Sequence, residues 1–326
     1  MRFELTAEQR DFASALDALL TASDVVSTAR AWALDGTDPG LKLWRRLADQ
    51  GVFALLVPEE AGGLGAGDME LVVAAEVLGR HGVPGPWVES AAFLPVALTS
   101  GQAMAALAEG AVGTVASRPH TAQALDADVA DHVYVAADGG LFAGKLGRRR
   151  SSIDGTRRLF EVTPDVAPFE TVGAERLARA FDTAVLAVSG QLLGAGERLL
   201  ADTVAFAGQR RQFGREIGSY QAVKHRLADV RIALDFARAL LHGAALAAED
   251  PASTRTKSRD VSAAKVATGD AAYLASRAAL QVHGAIGYTR ELDLSLWILK
   301  VRALQTAWGT PAFHRRRVLD ALVGEA

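Results

Sequence analysis

The sequence predicts a mainly α-helical protein with a small β domain in its middle. Helical apolar spacing dominates both ends, while the stretch from about Gly113 to Leu186 alternates and turns instead. The chain has 326 residues, more than one hydrophobic core usually organises. Three segments follow: an N-terminal helical domain over 1–112, a β domain over 113–186 and a C-terminal helical bundle over 187–326.

The first helix starts at Thr6, an N-cap residue, with Glu8 and Gln9 in its first turn. In "LKLWRRLADQGVFALL", Leu43, Trp44, Leu47, Val52 and Leu55 stand near helical spacing, and Gly51 is the stop. "MELVVAAEVLGRHG" reads as a short buried helix, again closed by glycine. Between them, "PEEAGGLGAGD" places Gly63, Gly65 and Gly67 after an apolar run. A phosphate cradle needs positive potential, and Glu59 and Glu60 oppose it, so a tight interhelical loop is the better reading.

In the middle, "HVYVAADGGLFAGKL" predicts a hairpin turning at Asp138-Gly139-Gly140, and "RRLFEVTPDVAPFETV" reads as strand, turn and strand. Beyond it, Tyr220, Val223, Leu227, Val230, Leu234, Ala237, Leu241 and Ala244 form one apolar helical stripe. A second stripe, Val261, Ala264, Thr268, Ala271, Ala275, Ala278 and Val282, is built of small residues that let helices approach closely. Glu249 to Asp260 is the loop between them.

Composition narrows the function. A net charge of −3 and a pI near 6.2 argue against nucleic-acid binding. The absence of cysteine excludes disulfides, zinc-thiolate sites and thiol catalysis. No apolar run approaches the roughly 18 residues of a membrane span, and the charged N-terminus is no signal peptide, so a soluble, cytoplasmic protein is expected. The seven histidines show no metal-ligand spacing, and no metal is expected. His225 and His283 read as structural or surface groups. Trp308, ahead of a Gly-Thr break, reads as a buried anchor, and the following "HRRR" as a solvated helix face.

Two stretches stand out. In "QRRQFGREIGSYQAVKHRLADV", Arg210 and Phe213 lie three apart and present a guanidinium and a ring to one ligand. In "QVHGAIGYTRELDLSLWILK", Gln281 precedes a Gly-rich break, which offers an amide and uncovered backbone. An anion with an aromatic part, such as a dinucleotide, suits both.

These stretches resemble the Arg-x-Gln-Phe-Gly and Gln-x-x-Gly-Gly-x-Gly segments of the acyl-CoA dehydrogenase family. "LWRRLADQGVFALLVPEEAGGLG" is similar to its N-terminal Pro-Glu-Glu-x-Gly-Gly pattern, and "SIDGTRRLFEV" to the end of its middle domain. The resemblance covers nearly the whole chain in the right order. It implies the family's fold: helical domain, β domain and C-terminal four-helix bundle. It also implies FAD, the α,β-desaturation of an acyl-CoA thioester, and electron transfer to an electron-transferring flavoprotein. Carried over by motif, Arg210, Gln212 and Phe213 would contact the pyrophosphate and ribityl region of a flavin held mainly by a neighbouring subunit. Gln281, Gly284 and the 285–287 backbone, Gly287 included, would line its adenosine end. Gln221 is a further contact.

The departures matter equally. The family's usual catalytic glutamate directly precedes a Gly-Thr pair, where this chain has Trp308. An alternative family position counts to about Ser258, with Asp260 the nearest carboxylate. Asp260, Glu249 and Glu291 are the remaining candidates for a base. The middle domain looks reduced, without counterparts of the family's Thr-Glu-Pro-x-Ala-Gly-Ser segment and Trp-Ile-Thr strand. These departures resemble the short subunit of heteromeric members from actinobacterial steroid side-chain breakdown, whose partner is a longer homologue in a heterotetramer. A self-sufficient homo-oligomer with a relocated base and a non-catalytic scaffold are the alternatives. Whether the acyl group is fatty, branched or steroidal is not readable from the sequence.

Overall fold

The computed structural model describes residues 4–137, 139–249, 256–289 and 292–324. Four helices lead the N-terminal region: α1 (Ala7–Thr21), α2 (Val25–Ala33), α3 (Asp38–Asp49) and α4 (Asp68–His81). At α1 the Thr6 hydroxyl accepts the Gln9 N–H and the Gln9 side chain accepts the Thr6 N–H, a reciprocal cap. The chain leaves α3 through Gly51 at φ +78°, a conformation that costs glycine little. The glycine-rich loop before α4 is close packing: a Cβ on Gly63 would lie 1.9 Å from the Val57 carbonyl oxygen. A π-helical turn (Glu89–Phe93), α5 (Leu94–Ala97) and α6 (Gly101–Ala108) complete this region.

The middle region holds a five-stranded sheet of β1 (Gly113–Ser117), β2 (Ala124–Leu125), β3 (His132–Ala137), β4 (Gly140–Arg150) and β5 (Leu159–Thr171), in the order β1-β3-β4-β5-β2. The expected hairpin forms, with Ala137 opposite Gly140, although Asp138 of its turn lies outside the described residues. The second expectation fails. Residues 159–171 make one strand rather than strand, turn and strand, because register shifts against β4 absorb Pro164 and Pro168. β2 pairs only with Leu159 and Phe160, so the rest of that edge of β5 meets no strand among the described residues, and proline is tolerated there.

The C-terminal region contains α7 (Ala174–Gln209), α8 (Gln221–Glu249), α9 (Lys257–His283), α10 (Leu294–Leu304) and α11 (Pro311–Gly324). α7 crosses the boundary expected at 186. It also packs tightly on the N-terminal helices, since a Cβ on its Gly194 would sit 1.9 Å from the Glu76 carbonyl oxygen of α4. Ala116, Ala124, Ala127, Val135, Phe160 and Val162 form a second, smaller core in the sheet. The α9 stripe is buried from Val261 to Ala278. The α8 stripe is buried from Val230 onward, while Tyr220, Val223 and Leu227 are half-buried. "HRRR" is only partly a solvated face: His314 is fully buried and Arg317 turns inward to Asp182, because α11 lies against α9 and α7. No helix among the described residues is long and apolar enough to cross a membrane.

Candidate functional site

At one end of the bundle the C-termini of α7 and α9 meet the N-terminus of α8. The rings of Phe206 and His283 stack at 4.2 Å, and Arg226 bonds the Gln281 side-chain oxygen. After α7 the chain makes a small hairpin of β6 (Arg211–Gln212) and β7 (Arg215–Glu216). Its tip is Phe213 at φ +50° and Gly214 at φ +83°. The left-handed conformation is strained for phenylalanine, and the ring it projects is 92% exposed.

The arginines of this hairpin divide by task. Arg211 donates to Glu216 (3.2 Å) and to the Gly214 carbonyl (3.3 Å), and Arg215 lies 3.9 Å over the Tyr220 ring. Both brace the hairpin. The Arg210 guanidinium makes no such contact among the described residues, so the hairpin carries an exposed cation at its base and an exposed ring at its tip. Gln212 is exposed in the same hairpin, and Gln221 is exposed at the start of α8. Gly284 leaves α9 at φ +64°, and Gly287 packs where a Cβ would be 3.2 Å from the His283 Cβ. The fold thus gathers both sequence stretches at one end, but it also occupies the Gln281 oxygen, which the sequence reading left open.

Trp308 is a buried anchor, 1% exposed, held at φ +55°. Its ring lies 5.2 Å from Phe93 and 5.9 Å from Phe181. Its carbonyl accepts from His314 Nε2 (2.9 Å), so Nε2 carries the proton and Nδ1 accepts from the Ser262 hydroxyl (3.1 Å). Burial pushes His314 down to about 3, which keeps it neutral. The Trp308 indole donates to Glu89, which burial pushes up to about 7. The second Glu89 carboxyl oxygen is buried without a partner. Nothing in "PWVESAAFLPVAL" marks Glu89, since the contact bridges distant segments.

The other proposed bases are engaged elsewhere. Glu249 accepts the Met69 N–H (2.9 Å) in the first turn of α4, and Asp260 pairs with the adjacent Arg259 (2.9 Å). Glu291 lies outside the described residues. Ser258 does have a carboxylate beside it, but the sequence reading missed which one. Asp182 of α7 sits 2.5 Å from the Ser258 hydroxyl and also accepts from Arg317 (2.8 Å). Among the described residues no cluster of groups could hold a metal.

The acyl-CoA dehydrogenase N-terminal domain matches residues 6–105, and the acyl-CoA dehydrogenase C-terminal domain matches residues 172–323. The chain belongs to the acyl-CoA dehydrogenase family, flavoproteins that oxidise acyl-CoA thioesters with FAD. It is 35% identical over 293 residues to acyl-CoA dehydrogenase IpdE2 of Mycolicibacterium smegmatis, covering 87% of this chain and 88% of that protein. The ChsE4-ChsE5 complex from Mycobacterium tuberculosis shares its fold, with a TM-score of 0.83 at 24% identity over 99% of both chains. So does a Tcur3481-Tcur3483 steroid acyl-CoA dehydrogenase variant, with a TM-score of 0.82 at 23% identity over 98% of both. Arg210, without a side-chain partner among the described residues, and the exposed ring of Phe213 have the chemistry that a dinucleotide such as FAD calls for.

Proposed function

We propose that this chain is one subunit of a heteromeric FAD-dependent acyl-CoA dehydrogenase, in which a longer homologue supplies the catalytic carboxylate and most of the flavin pocket. The observation that carries this reading is an exposed Arg210, its guanidinium without a partner among the described residues, and an exposed Phe213 at the same end as Gln281 and Gly284. Such a surface has the chemistry to meet an anionic, aromatic ligand presented by another subunit. Arg210, Gln212 and Phe213 would hold the pyrophosphate and ribityl region, and the Gln281–Gly287 turn, with Gln221 nearby, the adenosine end. FAD, when bound, accepts the hydride that leaves the β-carbon, and an electron-transferring flavoprotein removes the electrons. The α-proton needs a carboxylate. Trp308 cannot accept it, and Glu89 is sealed behind Trp308. Two of the similar proteins named above are multi-chain in name, and one is called a steroid enzyme, which supports a partner and a steroid-derived substrate here. The chain purified alone should carry little FAD, and co-expression with the longer homologue should give a yellow complex. Stoichiometric flavin released from the isolated chain on denaturation overturns the requirement for a partner.

A second reading has support from Asp182. A self-sufficient homo-oligomer needs a relocated base, and Asp182 stands beside Ser258, where the alternative family position was counted. Both its oxygens are taken up by Arg317 and Ser258, so the first reading is preferred.

A further inference from the structure

The opposite end of the bundle, where α7 and α9 begin and α8 ends, holds a cavity of about 790 Å3. α9 alone is 27 residues long, which puts this cavity roughly 40 Å from the Arg210 end. The N-terminal helices form its other side. Leu56, Val96, Met104, Leu186 and Val261 give it apolar walls. Asp68 belongs to the charged part of the lining, with Glu60, Glu175, Arg176, Arg179, Asp182 and Lys257. It is 8% exposed, lines the cavity, and its carboxyl makes no hydrogen bond or ion pair among the described residues.

Buried polar groups in folded proteins nearly always find partners, because an unpaired one forfeits its hydration without return. Arg179 and Lys257 attract the Asp68 carboxylate from a distance, but no neighbouring charge hydrogen-bonds it among the described residues. Glu249 is a like charge, spent on the α4 N-terminus, and Asp182 is held by Ser258 and Arg317. Arg179 and Lys257 also line the cavity and form no ion pair of their own among the described residues. The volume falls in the range of small-molecule sites. A plain hydrocarbon chain would cover the walls and leave Asp68 stranded. A chain with a hydroxyl far from its thioester satisfies both, since a hydroxyl pairs with a carboxyl in either protonation state.

We propose that this cavity receives the acyl part of a hydroxylated acyl thioester, with Asp68 as the hydrogen-bond partner of the hydroxyl. The inference rests on the reading above only in taking the ligand to be an acyl-CoA. Burial, and then the neighbouring Glu249, push Asp68 up to about 6, so near neutral pH it is mainly an acceptor and below about 6 also a donor.

The test uses the co-purified complex and two probes, 3-thiaoctanoyl-CoA and its 8-hydroxy derivative, whose sulfur at the β-position prevents desaturation. Calorimetry on the wild type should show the hydroxylated probe binding about tenfold more tightly. Asp68→Leu should abolish or invert that preference, and Asp68→Asn should retain part of it. Should the leucine variant fail to fold, Asp68→Ala takes its place. Equal affinities in the wild type, no binding of either probe, or a preference unchanged by loss of the carboxyl overturns the inference. Flavin absorbance in the same samples separates this from the cofactor reading: flavin content insensitive to Arg210→Ala sinks that reading and leaves the probe preference intact.

Discussion

The two ends of the α7–α8–α9 bundle carry opposite kinds of chemistry. At the Arg210 end Arg210 and Phe213 are exposed, and their side chains meet no partner among the described residues. At the Asp68 end the polar groups line a cavity whose walls come from the N-terminal and C-terminal regions of the same chain. An outward surface is completed by whatever another molecule brings. An inward one is nearly complete already and selects by shape and by one unsatisfied group. On the proposed reading, one helical scaffold carries a shared site at one end and a private one at the other.

The core between the two ends offers the largest expected effect. Glu89 holds its proton up to about 7 when folded and releases it near 4.5 when unfolded. The folded state thus binds the extra proton between those values, and the stability it contributes is full below 4.5 and lost as pH rises through 7. Glu89→Gln keeps an acceptor for the Trp308 indole and carries no charge. It should match the wild type at pH 4 and exceed it at pH 8 by on the order of 3 kcal/mol, read from denaturant midpoints. An equal shift at both pH values means the carboxyl is not the titrating group.

Arg210→Ala comes next. A charge-assisted contact to pyrophosphate is worth roughly 1.5–3 kcal/mol, so FAD binding in the complex should weaken about 10- to 100-fold. Thioester affinity at the far end should not change. Arg211→Ala, which only loosens the hairpin, should cost far less, and equal losses at the two positions mean that the cofactor contact has been given to the wrong arginine.

The smallest effects belong to the carboxylates first considered as bases. Glu249→Gln still accepts the Met69 N–H, and Asp260→Asn loses only a half-exposed pair. Turnover of the complex should stay within about threefold for each. A fall of about a hundredfold or more in either, with flavin content intact, moves the base into this chain and favours the self-sufficient enzyme.

Local features were legible in the sequence. The Thr6 cap, the stop at Gly51, the β3–β4 hairpin and the small-residue stripe of α9 each depend on neighbours along the chain or on a single periodicity. The motifs that gather around Arg210 and Gln281 were legible as well, because they are contiguous. The misreadings all involve partners far apart in sequence. Prolines at 164 and 168 signal a turn until β4 is present to shift register around them. His314 looks solvated until Trp308 and Ser262 close on it. Ser258 looks bare until α7 brings Asp182 alongside, 76 positions away. Glu89 and Asp68 gave no signal, since an acidic residue in a helical stretch reads as surface until the packing buries it.

The unpaired edge of β5 has a consequence for the protein in a crowded cell. A bare strand edge is a template on which strands of other chains can stack into aggregates. Pro164 and Pro168 delete two hydrogen-bond donors from this strand, and the Asp165–Lys145 pair adds charge between them. A small sheet that ends early is thereby kept from growing by recruiting its neighbours. Replacing both prolines with β-formers such as valine would lift that guard and turn the edge into a nucleus for intermolecular stacking.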